Sequence, residues 1–202
     1  MADQLISAFV TLLVVIDPIG LGPVFAGLTG GLDEAVKRKI ALEASIIAFC
    51  VLAGSALIGN WLLVQLGISL AAFRIAGGLL LFAIAFEMVF QRRTERNVEQ
   101  AGHPGGSLAT FPLAIPLMAG PGAITAMLLL AGQSRHDPFA MTALIVIMGV
   151  MMLATYLVFL SATKLERLLG RQGESVFGRL LGVLLAALAV QYIADGITAL
   201  KS

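Results

Sequence analysis

Between Leu5 and Leu28 the chain holds one ionisable residue, Asp17, in 24 positions that are otherwise uncharged. That length exceeds the roughly 20 apolar residues that carry a helix across a bilayer core of about 30 Å. No water is available in hydrocarbon, so a crossing segment has to satisfy its own backbone hydrogen bonds. Length and continuous apolarity therefore predict a helix. Five further runs of the same character follow, at about residues 41–66, 72–90, 108–131, 139–163 and 179–200. The expected fold is an all-α membrane protein with six transmembrane helices, forming a single transmembrane domain over 1–202. Composition agrees: 59% of residues are hydrophobic, 12% are charged, and mean hydropathy is +0.98, against about 25% charged in soluble domains.

The first run has no basic segment before it and is too long for the core of a signal peptide, so it is expected to be the first span. A net charge of +1, with no basic patch interleaved with aromatics, points away from nucleic acid. Cys50 stands alone in an apolar run, which excludes a disulfide framework. His103 and His136 fall in polar loops without partners at ligand spacing, so no metal or other cofactor is expected. No Gly-x-x-x-x-Gly-Lys run marks an ATP site. No Ser/His, His/Glu or Cys/His pair falls at membrane depth, which disfavours an enzyme.

Two of the runs are interrupted in the same way. Pro18-Ile19-Gly20-Leu21-Gly22-Pro23 and Pro116-Leu117-Met118-Ala119-Gly120-Pro121 both read proline, three residues, then Gly-Pro. Proline inside a helix removes a donor and clashes with the preceding turn, at a cost of about 3 kcal/mol. Broken helices are thus expected in spans one and four, and irregular backbone at membrane depth is tolerated where it lines a cavity. Leu66-Gly67 is echoed by Leu169-Gly170, and Arg74-Ile75-Ala76-Gly77 by Arg179-Leu180-Leu181-Gly182. The polar segment 91–107 then separates repeat one, about 1–90, from repeat two, about 108–202. Three spans per half make the repeats inverted, the architecture of secondary transporters with a site at the midplane.

Gly22-Pro23 and Gly120-Pro121 both suit a helix restart, with glycine at the N-cap and proline at the first helical position. Such a terminus directs unpaired N–H groups at the cavity, and a substrate carboxylate is the natural occupant. The candidate substrate-binding residues are Asp17, Pro18, Gly20, Gly22 and Pro23 at the first break. At the second they are Ala119, Gly120, Pro121, Gly122 and Thr125. Thr125 serves either a ligand or its own helix. Asp17 is the one acidic residue placed deep in the bilayer, where charge is expensive and functional. It either carries a coupling ion, H⁺ or Na⁺, or fixes the break. Glu43 and Lys39 are expected as a surface pair.

These residues resemble the MarC family of bacterial inner-membrane proteins, also described as neutral amino acid transporters. The matching segments are Asp17-Pro18-Ile19-Gly20 with Pro23 and Phe25, then Phe73-Arg74-Ile75-Ala76-Gly77-Gly78, then Pro112 through Thr125. The resemblance covers nearly the whole chain. It implies six spans in the inner membrane and transport of a small neutral amino acid such as glycine or alanine. Relatives usually carry Asn where this chain has Leu21, which puts the ligand preference in question. The expected function is a secondary, ion-gradient-coupled transporter working by alternating access. The alternative is a non-transporting envelope protein that senses or supports assembly. The expected partners are the amino acid, H⁺ or Na⁺ and the lipid bilayer, and a homo-oligomer is allowed.

Basic residues set the orientation. Lys37, Arg38, Lys39, Arg92, Arg93, Arg96, Lys164, Arg167 and Arg171 fall on one face, with Arg179 at its edge, against Arg135, Lys201 and Arg74 on the other. Both termini are expected outside the cytoplasm. A C-terminal alkaline phosphatase fusion should be active and a fluorescent-protein fusion dark; the reverse pair of results inverts the assignment.

Overall fold

The computed structural model describes residues 2–90, 107–134 and 137–201, with side chains for all of these except 2–4 and 163–175. Every element among the described residues is a helix. In chain order they are α1 (Ala2–Ile16), α2 (Pro18–Leu28), α3 (Glu34–Gln65), α4 (Leu70–Val89), α5 (Ala109–Met118), α6 (Pro121–Gln133), α7 (Pro138–Leu160) and α8 (Ala162–Lys201). Five segments are long and apolar enough to cross a membrane: Leu5–Leu28, Glu34–Gln65, Leu70–Val89, Pro138–Leu160 and Val176–Lys201. A sixth is made by α5 and α6 together, bent by 55°.

Local chemistry sets the helix ends. Ser69 caps α4 by accepting from Ala72 N at 3.1 Å. Asp137 caps α7 by accepting from Phe139 N at 2.9 Å and Ala140 N at 3.2 Å, with Pro138 at the first position. Gly67, at φ 67°, turns the chain after α3 in a conformation that favours glycine.

Two stretches read from sequence as loops are helical. The polar loop after span one shrinks to Thr29–Asp33, because Glu34 through Lys39 already belongs to α3. Those residues are good helix formers, and Lys37 Nζ meets Glu34 Oε1 at 2.9 Å. The expected Lys39–Glu43 pair is present on the surface at 3.8 Å. The basic stretch 164–175 is likewise part of α8, whose 40 residues continue from Ala162 without interruption. Leu, Glu, Arg and Lys dominate it, and their helix propensity outweighs two glycines. Residues 91–106 of the expected linker, together with His103, lie outside the described residues, as do Arg135 and His136.

Packing is built on small residues, as expected where lipid gives no hydrophobic drive between helices. On α3 the stripe Ala41, Ala44, Ala48, Leu52 and Ala56 is buried and lies against α5, α6 and α7. The most extensive pair is α4 with α8. A Cβ at Gly78 would stand 2.7 Å from the Ala189 carbonyl, one at Gly182 3.1 Å from that of Ala85, and one at Gly196 2.9 Å from that of Ala71. These contacts make the two helices antiparallel and bring them into close approach along much of their length. Gly178, which stands four residues before Gly182 in a Gly-x-x-x-Gly spacing, meets nothing within 4 Å, so of the two only Gly182 serves the interface.

Gly78→Leu should force α4 and α8 apart against backbone and lower stability by about 3 kcal/mol, in the range of severe overpacking. Gly178→Leu should change little. Thermal unfolding of the two variants in detergent measures the contrast.

Candidate functional site

The first interruption is one residue wide. Asp17 adopts φ 51°, ψ 65°, the left-handed conformation that Asp tolerates better than most side chains. Its backbone stays in register on both sides, with Asp17 N donating to Leu13 O at 3.0 Å and Leu21 N to Asp17 O at 3.1 Å. The carboxylate folds forward, and Oδ1 accepts from Gly20 N at 3.1 Å, so Asp17 is the N-cap of α2 and Pro18 its first residue. Asp17 is 8% exposed. Gly20 is required here because a Cβ would overlap Asp17 Oδ2 and stand 3.2 Å from Oδ1.

The second interruption is longer. Phe111 and Ile115 have extended backbones (φ −133°, ψ 128° and φ −130°, ψ 122°), and each precedes a proline, which disfavours the helical conformation for the residue before it. The following turn is wide, closed by Ala119 N donating to Ala114 O at 2.8 Å. The chain then bends by 55° into α6. Gly120 is the N-cap and Pro121 the first residue of α6. A Cβ at Gly120 would overlap the Pro116 carbonyl, so the glycine is needed by the chain's own fold. Because Gly120 has no side chain, no side-chain cap reaches the first N–H groups of α6, those of Gly122 and Ala123.

The two interruptions meet. The position of a Gly122 Cβ lies 3.6 Å from Val15 Cγ1, and it would overlap Ile84 of α4. Val15 is two residues before Asp17, and Gly122 two residues after Gly120. The absence of a Cβ at Gly122 makes room for Ile84 of α4, and the end of α1 packs against the start of α6 at ordinary contact distance. Thr125, 4% exposed, turns its methyl group toward Gly77 of α4. Pro18, Gly22 and Ala119 are buried, Gly20 and Pro23 are half-buried, and Pro121 is exposed. Leu21 is 2% exposed, one turn beyond Asp17.

One expectation is corrected here. Gly22 and Pro23 do not restart a helix; both lie inside α2, which begins at Pro18. At the two interruptions, the helix starts bearing a proline at the first position are Asp17-Pro18 and Gly120-Pro121, 103 positions apart. That spacing fits the N-caps Asp33 and Asp137, 104 apart, and Arg74 and Arg179, 105 apart. The visual match of the two closing Gly-Pro pairs was out of register. Phe111 and Pro112 were missed as part of the second interruption, although Pro112 and Pro116 stand four apart in the sequence. Val15 and Ile84 carried no signal, being ordinary apolar residues.

An all-helical membrane domain with five helices long and apolar enough to cross a membrane, and a sixth span if the bent α5–α6 pair is one, is thus the class that the fold defines. The model of the MarC family integral membrane proteins matches residues 2–200, and this chain belongs to that family. A UPF0056 membrane protein of Pyrococcus horikoshii is 36% identical, covering 90% of this chain and 88% of the relative. One from Methanocaldococcus jannaschii is 36% identical over 95% of each chain. The Escherichia coli UPF0056 membrane protein YhcE is 33% identical, covering 94% of this chain and 89% of its own. No solved structure matches the chain.

Asp17→Ala should lower stability by about 2 kcal/mol, through loss of the N-cap and through a left-handed backbone that Ala disfavours. Asp17→Asn keeps an acceptor and tolerates that backbone, so its thermal unfolding should stay close to wild type. An unchanged melting temperature for Asp17→Ala would remove the capping role.

Proposed function

We propose that this chain is a secondary carrier for a small neutral amino acid, held as a zwitterion between the two interruptions. The observation that supports this best is the unequal capping of two helix starts, α2 and α6, the second of which packs against Val15 at the end of α1. The α2 start is occupied by its own Asp17 carboxylate, whereas the α6 start offers the N–H groups of Gly122 and Ala123 without a side-chain cap. A substrate carboxylate suits the α6 terminus and its positive dipole end. The ammonium group suits Asp17 and the carbonyl groups that end α1.

The packing pattern favours two inverted repeats as the moving parts. The extensive helix contacts run between the halves: α4 with α8, α3 with α5, α6 and α7, α2 with α7 and α8, and α1 with α6 and α7. Exchanging the halves turns α4–α8 and α3–α7 into themselves, α2–α7 into α3–α6, α2–α8 into α4–α6 and α1–α7 into α3–α5, as a two-fold axis in the membrane plane requires, and leaves α1–α6 and α1–α8 without a counterpart among the extensive contacts. Antiparallel α4 and α8 are the self-paired members expected at such an axis. Alternating access then becomes relative movement of the halves around the paired interruptions.

In this reading the chain is a carrier and not an enzyme. It sits in the inner membrane of a bacterium, with both termini outside, and couples to H⁺ or Na⁺ through Asp17. The ion and the substrate ammonium share one carboxylate, so occupancy by one depends on the other. Small side chains are favoured because Val15, Leu21 and Thr125 already fill the surrounding space.

Purified protein in proteoliposomes should accumulate labelled alanine or glycine when a proton or sodium gradient is imposed. Asp17→Asn should lose gradient-driven accumulation and keep measurable exchange. Absence of both activities in the wild-type protein overturns the carrier; full accumulation by Asp17→Asn overturns coupling through that residue.

A further inference from the structure

Phe25 of α2 and Phe159 of α7 form a flat stack, with ring centroids 4.4 Å apart and planes within 7° of parallel. Each is 2% exposed. Phe25 follows Asp17 by eight residues, so it lies roughly 12 Å farther along the span. Behind the stack, on the face that carries the basic loops, a small open cleft with about 30 Å³ of accessible space is lined by both rings and by Thr29, Glu34, Lys37 and Arg38. The Thr29 hydroxyl donates to Phe25 O at 2.8 Å, fixing the last turn of α2 beneath the ring. The rings therefore separate the paired interruptions from an open, basic cleft.

The equivalent contact in the other half is built differently. The 103-residue spacing that relates Asp17 to Gly120 relates Phe25 to Leu128, and the partner of α6 is α3 as that of α2 is α7. Leu128 sits in a notch at Gly59, where any Cβ would overlap it. Near the end of the same span Leu70 closes over Gly132, 2.9 Å from its Cβ position. A side chain seated in a notch must be withdrawn before the helices part. Two stacked rings meet flat face to flat face and part when one of them turns about its χ1.

We propose that the Phe25–Phe159 stack is the barrier between the paired interruptions and the basic-loop face. The cleft behind it is the vestibule in which Lys37 and Arg38 draw in the carboxylate of the amino acid. The vestibule's occupant rests on the carrier reading; the barrier does not. Glu34 holds Lys37 at 2.9 Å, and its carboxylate gives the cleft a counterpart for the ammonium group.

Thiol labelling tests both parts. Cys50 is first replaced by serine, and Ala26→Cys (in the cleft) and Leu21→Cys (between Phe25 and Asp17) are made singly. A membrane-impermeant methanethiosulfonate is then applied to vesicles of each orientation. Ala26→Cys should label from the basic-loop face. Leu21→Cys should resist while both rings are present and label about tenfold faster with Phe159→Ala, because a thiol reacts only where reagent reaches it. Phe159→Leu, closer in volume and so easier to fold, should give a smaller increase in the same direction. Equal labelling of Leu21→Cys with and without the Phe159 ring overturns the barrier, as does labelling from the opposite face alone. Alanine should slow labelling of Ala26→Cys. Slowing by phosphatidylglycerol in the vesicle and not by alanine would assign the cleft to a lipid headgroup and overturn the vestibule. Because labelling needs no substrate, a protein that transports no amino acid removes the carrier reading and leaves the barrier result standing.

Discussion

Hydrocarbon offers no partner to a broken backbone, and each irregular feature of this chain answers that constraint. At the first interruption the answer is local: Asp17 takes the one left-handed position and returns its carboxylate to Gly20 N. At the second it is a wide turn from Ala114 to Ala119, followed by a helix start buried against α1 and α4. The first solution is closed on itself. The second leaves donors to be satisfied, and that difference, more than the presence of interruptions as such, gives the core its chemistry.

Glycine distribution follows from the same solvent. In water, apolar burial would hold these helices together; in lipid, close approach has to do so. Gly78, Gly182 and Gly196 do this for α4 and α8, Gly59 and Gly77 for α6 against α3 and α4, and Gly122 for α6 against Ile84 of α4. The exposed residues, among them Ile58, Trp61, Leu153 and Leu184, are as apolar as the buried ones. Along α3 the packed stripe is mostly alanine, whereas Leu57, Ile58 and Trp61 of the same helix are exposed.

That is also why some of the architecture was legible from sequence and some was not. Span number and approximate position follow from apolar run length, which is a property of single segments. The N-caps Ser69 and Asp137 and the turn at Gly67 are local as well. Residues 164–175 failed because charge was read as loop, although Lys, Glu and Arg are good helix formers that merely prefer water. The first interruption failed in register: Gly22-Pro23 resembles a helix start in isolation, but Asp17-Pro18, five residues earlier, supplies an actual cap. A proline inside a helix and a proline that begins one read alike until the hydrogen bond of the preceding residue is known. The site's apolar walls, Val15 and Ile84, depend on tertiary approach and leave no local trace.

The length of α8 has a mechanical corollary. Its 40 residues form a rod of about 60 Å, twice the hydrocarbon thickness. The apolar part, Val176–Lys201, accounts for the crossing. The remaining turns extend toward the basic-loop side as an unbroken continuation of the helix that lies tightest against α4. A tilt of a few degrees within the bilayer is therefore magnified into several ångströms at the far tip, by simple leverage. Any partner gripping that tip would hold the membrane core by its handle.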